Sequence, residues 1–205
     1  MSSASAKVSG ETRRRQALSL PNLLTYGRVA AVPVVVALLF WPNDTWSRWT
    51  ALAVFVAAAV TDYLDGYLAR AYAQQSSLGR MLDPIADKLL VAACLLMLAA
   101  DGTVRSWSLW AAIVILCREI LVSGLREYLA ELKLGVPVSR VAKWKTAAQL
   151  VALGFLIAGP AGEAVLPHTI AIGLGLLWIA AALTIYTGWD YLRVSLNHMM
   201  DWDLR

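Results

Sequence analysis

Long hydrophobic runs dominate the chain, and short polar segments rich in turn-forming residues separate them. Six of these runs come close to the ~20 residues that a helix needs to cross the ~30 Å hydrocarbon layer of a membrane. The predicted spans are Leu23–Trp41, Trp46–Arg70, Pro84–Ala100, Trp107–Glu127, Ala142–Gly159 and Thr169–Tyr191. Turns are predicted at Pro42–Asp44, Gln74–Arg80, Asp101–Gly102, Leu134–Ser139 and Gly159–Pro167. The pattern therefore predicts an all-α polytopic membrane protein with six transmembrane helices.

The composition supports an assignment to the membrane. Apolar residues make up 59% of the 205 residues and charged residues 16%, against roughly 45–50% and about 25% in an average soluble domain. The excess apolar surface requires lipid. Cys94 and Cys117 lie in apolar runs and are predicted to be small buried hydrophobic residues. We expect a short basic cytosolic segment at residues 1–20 and one membrane domain over residues 21–205.

Basic residues predict the orientation of the spans. With six spans, both termini and the second and fourth loops share one side of the membrane. Of the 18 Lys and Arg residues, only Arg48 and Arg105 lie nearer the opposite face. The positive-inside rule therefore predicts cytoplasmic termini. Tryptophans, which favour membrane interfaces, mark the outer ends: Trp41, Trp46, Trp49, Trp107 and Trp110. The net charge of +4 then reflects topology and attraction to anionic lipids, and we predict no nucleic-acid partner.

Four aspartates lie within or beside hydrophobic runs: Asp62, Asp65, Asp83 and Asp87. Carboxylates at such positions cost on the order of 2–3 kcal/mol each and are functional candidates by default. Helical spacing places small residues on the same two faces as these carboxylates. The second predicted helix carries Asp62, Asp65, Gly66 and Ala69 on one face, and the start of the third carries Gly79, Asp83 and Asp87. The two helices are antiparallel, so all four carboxylates should meet just below the cytosolic interface.

Clustered carboxylates repel one another and take up protons unless a cation neutralises them. A set of hard oxygen ligands without His or Cys favours Mg²⁺ or Mn²⁺, with two ions as one possibility, over Zn²⁺. The alternative is a helical hairpin whose acidic side chains extend to water or pair with Arg70, Arg80 and Lys88. That alternative does not explain why small residues share both acidic faces, where they make room for a bulky group.

The same residues carry a resemblance to a known family. The spacing Asp62-x2-Asp65-Gly66-x2-Ala69-Arg70-x8-Gly79-x3-Asp83-x3-Asp87 resembles the motif of the CDP-alcohol phosphotransferases at every fixed position. The resemblance implies that the four aspartates bind a pair of divalent metal ions and that Asp87 is the general base. It also implies that four residues contact the CDP moiety of a CDP-linked lipid: Gly66, Ala69, Arg70 and Gly79. A homodimer is a further implication of the family.

The acceptor is indicated by two other segments. The start of the first helix, Pro21–Arg28, resembles that of the phosphatidylglycerophosphate synthases, one branch of the family, and cardiolipin synthases of the same fold look similar there. Thr25 and Arg28 are one turn apart and are predicted to reach the diphosphate. The alternative is a polar helix start in which Arg28 extends to the interface.

Four further cations are predicted to converge: Arg118, about midway along the fourth span, Arg126 on the same helix face, and Lys143 and Lys145 at the start of the fifth helix. They suit a small dianionic phosphate, since Arg supplies a bidentate fork and Lys a point charge. Alternatively, Glu119 and Glu127 form a structural ion-pair network with the two arginines. One departure from the branch is Ala142, where we expect Gly before Lys143.

The resemblance implies transfer of a phosphatidyl group from CDP-diacylglycerol to sn-glycerol 3-phosphate. This gives phosphatidylglycerol phosphate and CMP at the cytoplasmic face of a bacterial inner membrane. Other acceptors stay open: serine, inositol phosphate or phosphatidylglycerol. A divalent-cation transporter that uses the same aspartates is an alternative of another class. Against transport, the acidic residues lie near one interface rather than at the midplane, and no discontinuous helix pair is evident.

Overall fold

In a computed structural model of the chain, residues 20–72, 77–131 and 140–203 are described, and they form six α-helices. The helices are α1 Leu20–Leu39, α2 Thr45–Tyr72, α3 Ser77–Ala100, α4 Ser108–Glu131, α5 Arg140–Glu163 and α6 Thr169–Asp203. These three ranges contain no strand. The predicted all-α class is therefore confirmed. Residues 1–19, the whole of the predicted turn Leu134–Ser139 and residues 74–76 of the predicted turn Gln74–Arg80 lie outside the described residues.

Three helices extend beyond the spans predicted for them. The helix α3 begins at Ser77, whereas the predicted span begins at Pro84. The polar residues before Pro84 are helical as well, so the helix is longer than its apolar run. The helix α5 runs to Glu163, but Gly159 interrupts it with φ 46° and ψ −127°. This left-handed φ suits glycine and produces the kink. The helix α6 continues to Asp203, well beyond the predicted end at Tyr191.

Four helices are long and apolar enough to cross a membrane among the described residues. These candidate spans are Asn22–Leu39, Ser108–Ala130, Val141–Glu163 and Thr169–Arg193. The helices α2 and α3 are not among them. In α2 and α3 the side chains of residues 63–72 and 77–80 lie outside the described part of the chain, on which the candidate spans rest.

The chain divides into two compact units, Met1–Met97 and Leu98–Arg205. In the first, α1 packs against α2 around the buried side chains of Val35, Leu39 and Phe55. Asp44 caps α2, because its Oδ2 accepts a hydrogen bond from the Ser47 amide at 2.9 Å. Hydrogen bonds from the Ser47 side chain and amide lower the pKa of Asp44 below its usual value of 3.8.

Arg48, in the first turn of α2, is one of the two basic residues on the predicted outer side. Its side chain is buried, and Nε donates a hydrogen bond to the Pro42 carbonyl at 3.0 Å. This arginine therefore fixes the turn between α1 and α2.

In the second unit, α4 and α5 each pack against α6. Ile115, Leu156 and Leu177 are fully buried within it. The turn into α6 is held by Glu163, whose carboxylate accepts hydrogen bonds from the amides of His168 and Ile170, both at 2.9 Å. The carboxylate therefore satisfies amides at the start of α6 that have no partner within the helix.

The two cysteines differ in their surroundings. Cys94 is buried, as predicted, but Cys117 is exposed, so the prediction for Cys117 was wrong. Cys117 follows the buried Ile115 by two positions, which turns it about 200° around α4. An apolar run alone does not show which of its positions faces the protein.

Close packing of α5 against α6 gives a first testable prediction. A Cβ on Gly173 would lie 2.9 Å from Leu156 Cδ2 and 3.1 Å from Phe155 Cβ. We therefore expect Gly173→Ala to lower the free energy of unfolding by about 1–3 kcal/mol. Gly175→Ala, where a Cβ meets nothing within 4 Å, is the control on the same helix. Thermal unfolding in detergent measures both, and equal midpoints contradict the prediction.

Candidate active site

Two aspartates of the motif converge on one arginine. Arg28 Nη1 lies 2.6 Å from Asp62 Oδ1 and 3.1 Å from Asp83 Oδ1. The three residues come from α1, α2 and α3, so the first three helices meet at this point. The Arg28 side chain is 1% exposed, whereas those of Asp62 and Asp83 are 43% and 31% exposed. A buried guanidinium therefore holds two partly accessible carboxylates together.

The burial of Arg28 bears on both of its predicted roles, a contact with the diphosphate and a polar helix start. A side chain that is 1% exposed does not extend to the interface, so the alternative of a polar helix start does not describe it. Its predicted contact with a diphosphate stays a prediction. The structure gives it a role that the spacing did not predict, as the counter-ion of Asp62 and Asp83.

The face of α1 that carries Arg28 is polar and buried. Asn22, Thr25 and Arg28 are spaced by three residues and are 1%, 3% and 2% exposed. This spacing places them along one side of the helix. No role for Asn22 was predicted from the sequence. Its spacing of three residues from Thr25, equal to that between Thr25 and Arg28, was the signal that places it on the same face.

Asp87 lies one turn after Asp83 on α3 and is of intermediate exposure. Ala86, between them in sequence, is completely buried. Lys88, named above as a partner for the aspartates, donates a hydrogen bond from Nζ to the Pro84 carbonyl at 3.0 Å. The same alternative names Arg70 and Arg80, whose side chains fall outside the described part of the chain.

Five motif residues lie on the helical backbone of α2 and α3, with side chains outside those described: Asp65, Gly66, Ala69, Arg70 and Gly79. Among the described residues there is no group of three or more His, Cys, Asp and Glu residues that could hold a metal ion. Oxygen atoms of Asp62 and Asp83 both approach one cationic nitrogen, Arg28 Nη1, and carboxylate oxygens are the kind of donor that Mg²⁺ and Mn²⁺ prefer.

In the second unit, Glu119 joins two of the predicted acceptor cations. Its Oε1 lies 3.3 Å from Arg118 Nη1 and also accepts a hydrogen bond from Lys145 Nζ. The side chains of Arg118, Glu119 and Lys145 are 15%, 17% and 6% exposed. Two cations and one carboxylate leave one net positive charge in a partly buried position. We refer to these three residues as the Glu119 cluster.

The other two predicted acceptor cations are exposed. Arg126 places its Cζ 5.8 Å from the centroid of the Tyr191 ring on α6, a cation–π distance. Lys143 lies near the start of α5 and is exposed, as is Glu127 on α4. The structure therefore brings Arg118 and Lys145 together and places Arg126 at Tyr191. Of the alternative Arg–Glu ion-pair network, the described residues show one pair, Arg118 with Glu119.

Sequence reasoning missed the contribution of the last helix to this region. Arg118 Nη2 donates a hydrogen bond to Thr187 Oγ1 at 3.1 Å. Thr187 and Tyr191, which contact the two arginines, lie one turn apart on α6. Polar residues within the apolar sequence of α6 were the available signal.

Two aspartates of the motif, Asp62 of α2 and Asp83 of α3, thus meet at Arg28 in an all-α chain with several candidate membrane spans. The family model described as CDP-alcohol phosphatidyltransferase matches residues 18–186. The chain belongs to this family.

Curated relatives cover most of the chain. A protein of Cereibacter sphaeroides is 39% identical over 89% of this chain and 98% of its own length. One of Rickettsia typhi is 47% identical over 85% of this chain and 96% of its own. One of Pseudomonas fluorescens is 41% identical, with 89% and 92% covered. All three are named CDP-diacylglycerol–glycerol-3-phosphate 3-phosphatidyltransferase.

Proposed function

We propose that the protein transfers the phosphatidyl group of CDP-diacylglycerol to sn-glycerol 3-phosphate, forming phosphatidylglycerol phosphate and CMP. The observation that carries the proposal is the convergence of Asp62 and Asp83 on Arg28, within a chain that belongs to the family. The names of relatives that span nearly the same length support the choice of acceptor.

The aspartates would hold the metal ions of the reaction, a pair of Mg²⁺ or Mn²⁺: Asp62, Asp65, Asp83 and Asp87. When bound, such ions neutralise the charge of the diphosphate and of the departing CMP. Arg28 supplies positive charge at the same carboxylates, which reduces the repulsion between Asp62 and Asp83. Its buried position keeps both side chains directed towards one point.

Binding of CDP-diacylglycerol is assigned to six residues of the first three helices: Thr25, Arg28, Gly66, Ala69, Arg70 and Gly79. Asp87 takes the proton from the C1 hydroxyl of glycerol 3-phosphate. The hydroxyl oxygen then attacks the phosphorus that bears the diacylglycerol, and the bond from that phosphorus to CMP breaks. His168 lies in the turn before α6 and His198 near the end of the chain, both away from the motif in sequence, so a direct transfer is favoured over a phosphoenzyme.

Binding of the acceptor phosphate is assigned to Arg118, Arg126, Lys143 and Lys145. The Glu119 cluster carries one net positive charge because Glu119 offsets one of its two cations. A dianionic phosphate adds favourable interactions with both cations. Exposed Arg126 and Lys143 supply further charge. An acceptor without a phosphate would not require these four cations.

We also propose a placement in the membrane. The six helices span a bacterial inner membrane, both termini and the active site face the cytoplasm, and the protein is a homodimer in the bilayer. Four candidate spans support the spanning helices. Trp46 and Trp107, at the predicted outer ends, are 81% and 79% exposed, as expected of residues that meet lipid headgroups.

The experiment that tests the function measures CMP release by the purified protein in detergent–lipid micelles. CDP-diacylglycerol is supplied with glycerol 3-phosphate, serine, inositol phosphate or phosphatidylglycerol in parallel. We expect CMP only with glycerol 3-phosphate. Release with another acceptor replaces the assigned substrate. No release with any acceptor, together with uptake of Mn²⁺ into proteoliposomes, establishes the transporter alternative instead.

Removal of divalent metal is expected to abolish CMP release. The carboxylates of α2 and α3 then lack the cations that the proposed reaction requires, while Arg28 alone remains at Asp62 and Asp83. Excess EDTA should stop turnover, and added Mg²⁺ or Mn²⁺ should restore it. Unfolding midpoints taken before and after chelation serve as the control for loss of structure. Full activity in EDTA contradicts the metal assignment.

A further inference from the structure

One face of α6 contacts both arginines assigned to the acceptor phosphate. Thr187 accepts a hydrogen bond from Arg118, and Tyr191 lies beside Arg126. Thr187 and Tyr191 are four residues apart, and so lie on one side of α6, whereas Arg118 and Arg126 are eight apart on α4. The two contacts are of different kinds and involve different arginines. Each is therefore an independent observation that α6 sets the positions of these side chains.

The hydroxyl of Thr187 is itself fixed. It donates to the Leu183 carbonyl at 2.8 Å, a bond that threonine often makes one turn back in a helix. Its oxygen is then oriented to accept from Arg118 Nη2 at 3.1 Å. With Nη1 at Glu119, the guanidinium is held at both ends. A guanidinium has five N–H donors, so others are left for an anion.

Gly188 lets the stem of Arg118 lie against the backbone of α6. A Cβ at this position would come within 3.0 Å of Arg118 Cγ and 3.4 Å of its Nε. Any larger residue must therefore displace Arg118 by a few tenths of an ångström. Gly188 is buried and carries no charge or hydrogen-bonding side chain. A substitution here tests the position of Arg118 without removing any group that could touch the substrate.

We propose that Thr187, Gly188 and Tyr191 form a seat on α6 that positions Arg118 and Arg126 for the phosphate of the acceptor. The proposal rests on the proposed function, since it takes the acceptor to be a phosphate monoester. All three are positioning residues, because each acts through an arginine. The seat begins just after the region that the family model matches, residues 18–186. In sequence it is separate from the motif assigned to the CDP-linked donor, which ends at Asp87.

The test separates the two substrates. KM for glycerol 3-phosphate and KM for CDP-diacylglycerol are measured for Thr187→Val, Thr187→Ser and Gly188→Ala. We expect the Val and Ala variants to raise KM for glycerol 3-phosphate about tenfold, equivalent to about 1.4 kcal/mol. KM for CDP-diacylglycerol should stay close to that of the wild type. Thr187→Ser keeps the hydroxyl and should restore the acceptor KM.

The second half of the seat is tested in the same way. Tyr191→Leu removes the aromatic ring beneath Arg126 and should raise the acceptor KM several-fold, as loss of a cation–π contact of ~0.5–1 kcal/mol predicts. Tyr191→Phe keeps the ring beside Arg126 and loses only the hydroxyl, so its effect on the acceptor KM should be smaller than that of Tyr191→Leu. Equal effects of Leu and Phe overturn this part of the proposal.

Two glycines on the same helix provide controls. Gly175→Ala meets nothing within 4 Å, whereas Gly173→Ala meets Leu156 at 2.9 Å. Gly173→Ala should lower the unfolding midpoint without changing the acceptor KM. If it raises that KM as much as Gly188→Ala does, the effect is general loosening of α6, and the proposal is overturned. Unchanged acceptor KM in Thr187→Val and Gly188→Ala also overturns it.

A binding measurement keeps this proposal separable from the proposed function. Inorganic phosphate is titrated against the unfolding midpoint of the wild type and the variants, since a ligand that binds the folded state raises that midpoint. If the wild type releases no CMP with glycerol 3-phosphate, the proposed function fails, and this titration decides the inference. Weaker phosphate binding in Thr187→Val and Gly188→Ala supports the seat. Equal binding in all proteins overturns it.

Discussion

Asp87→Asn is expected to reduce CMP release by about 10²–10⁴-fold, the contribution that a positioned general base makes. The substitution keeps the shape of the side chain and removes both its charge and its ability to take a proton. Asp87 is of intermediate exposure on α3, so the amide should be tolerated in the fold. Turnover is measured as CMP release at saturating substrates, and folding as the unfolding midpoint in detergent.

Two comparisons sharpen this experiment. Asp83→Asn removes a carboxylate that pairs with Arg28, so it should also abolish turnover, through the metal ligand rather than the base. Asp44→Asn is the matched control, because Asp44 is exposed in the turn before α2 and Asn is an equally good N-cap. Its activity should match the wild type. Retention by Asp87→Asn of more than about a tenth of the wild-type turnover contradicts the base assignment, given that expected contribution.

The sequence predicted the aspartate pair well because the information is local. Helical spacing places Asp62 and Asp65 on one face and Asp83 and Asp87 on another, and a short connection makes the two helices antiparallel neighbours. The structure brings Asp62 and Asp83 together, as expected. The partner that joins them was not predicted. Arg28 is 55 positions from Asp83 in the chain, and nothing in its local spacing distinguishes a contact with carboxylates from one with a diphosphate.

The ends of the helices were less predictable from the sequence than their apolar parts. Hydropathy locates where a helix is apolar, whereas the helix itself ends where backbone hydrogen bonds end. For this reason α3 and α6 extend into polar sequence, to Ser77 and Asp203. Gly159 was correctly predicted to break α5, since a glycine followed by proline disfavours the helix.

The acceptor region depended on contacts between helices, which a pattern along one helix does not contain. Glu119 was expected as a partner of an arginine, and it does pair with Arg118. Its second partner, Lys145, comes from α5. The closeness of Gly188 to Arg118 is a property of helix packing. The sequence shows only another glycine in an apolar helix.

Alanine at each of the four acceptor cations is expected to raise KM for glycerol 3-phosphate, or to lower kcat/KM, by about 10–100-fold. This is the effect of losing one charge-assisted hydrogen bond of roughly 1.5–3 kcal/mol. The positions are Arg118, Arg126, Lys143 and Lys145. KM for CDP-diacylglycerol should change little, because the donor is assigned to residues of α1, α2 and α3. Unchanged acceptor kinetics in all four variants remove the basis for assigning a phosphorylated acceptor to these cations.

Arg126 offers the cleanest of these substitutions. It is exposed and lies beside Tyr191, so its removal leaves no buried carboxylate without a partner. Arg126→Ala should therefore change acceptor kinetics with little loss of stability. Arg126→Lys should also fail substantially if the contact with phosphate is bidentate, since Lys cannot reproduce the fork. Arg193→Ala, at another exposed arginine, is the control and should behave as the wild type.

Arg118 separates a substrate-binding role from a structural one. Its loss leaves Glu119, whose side chain is 17% exposed, with Lys145 as the remaining cation of the cluster. If Arg118 is mainly structural, Arg118→Ala should lower the unfolding midpoint, and Glu119→Gln in the same protein should restore part of it. If Arg118 binds the acceptor phosphate, Glu119→Gln cannot restore the acceptor KM, because the lost N–H donors are still missing. Measuring both quantities on the single and double variants therefore decides between them: recovery of acceptor KM together with stability assigns Arg118 to the network, and recovery of stability alone assigns it to the substrate.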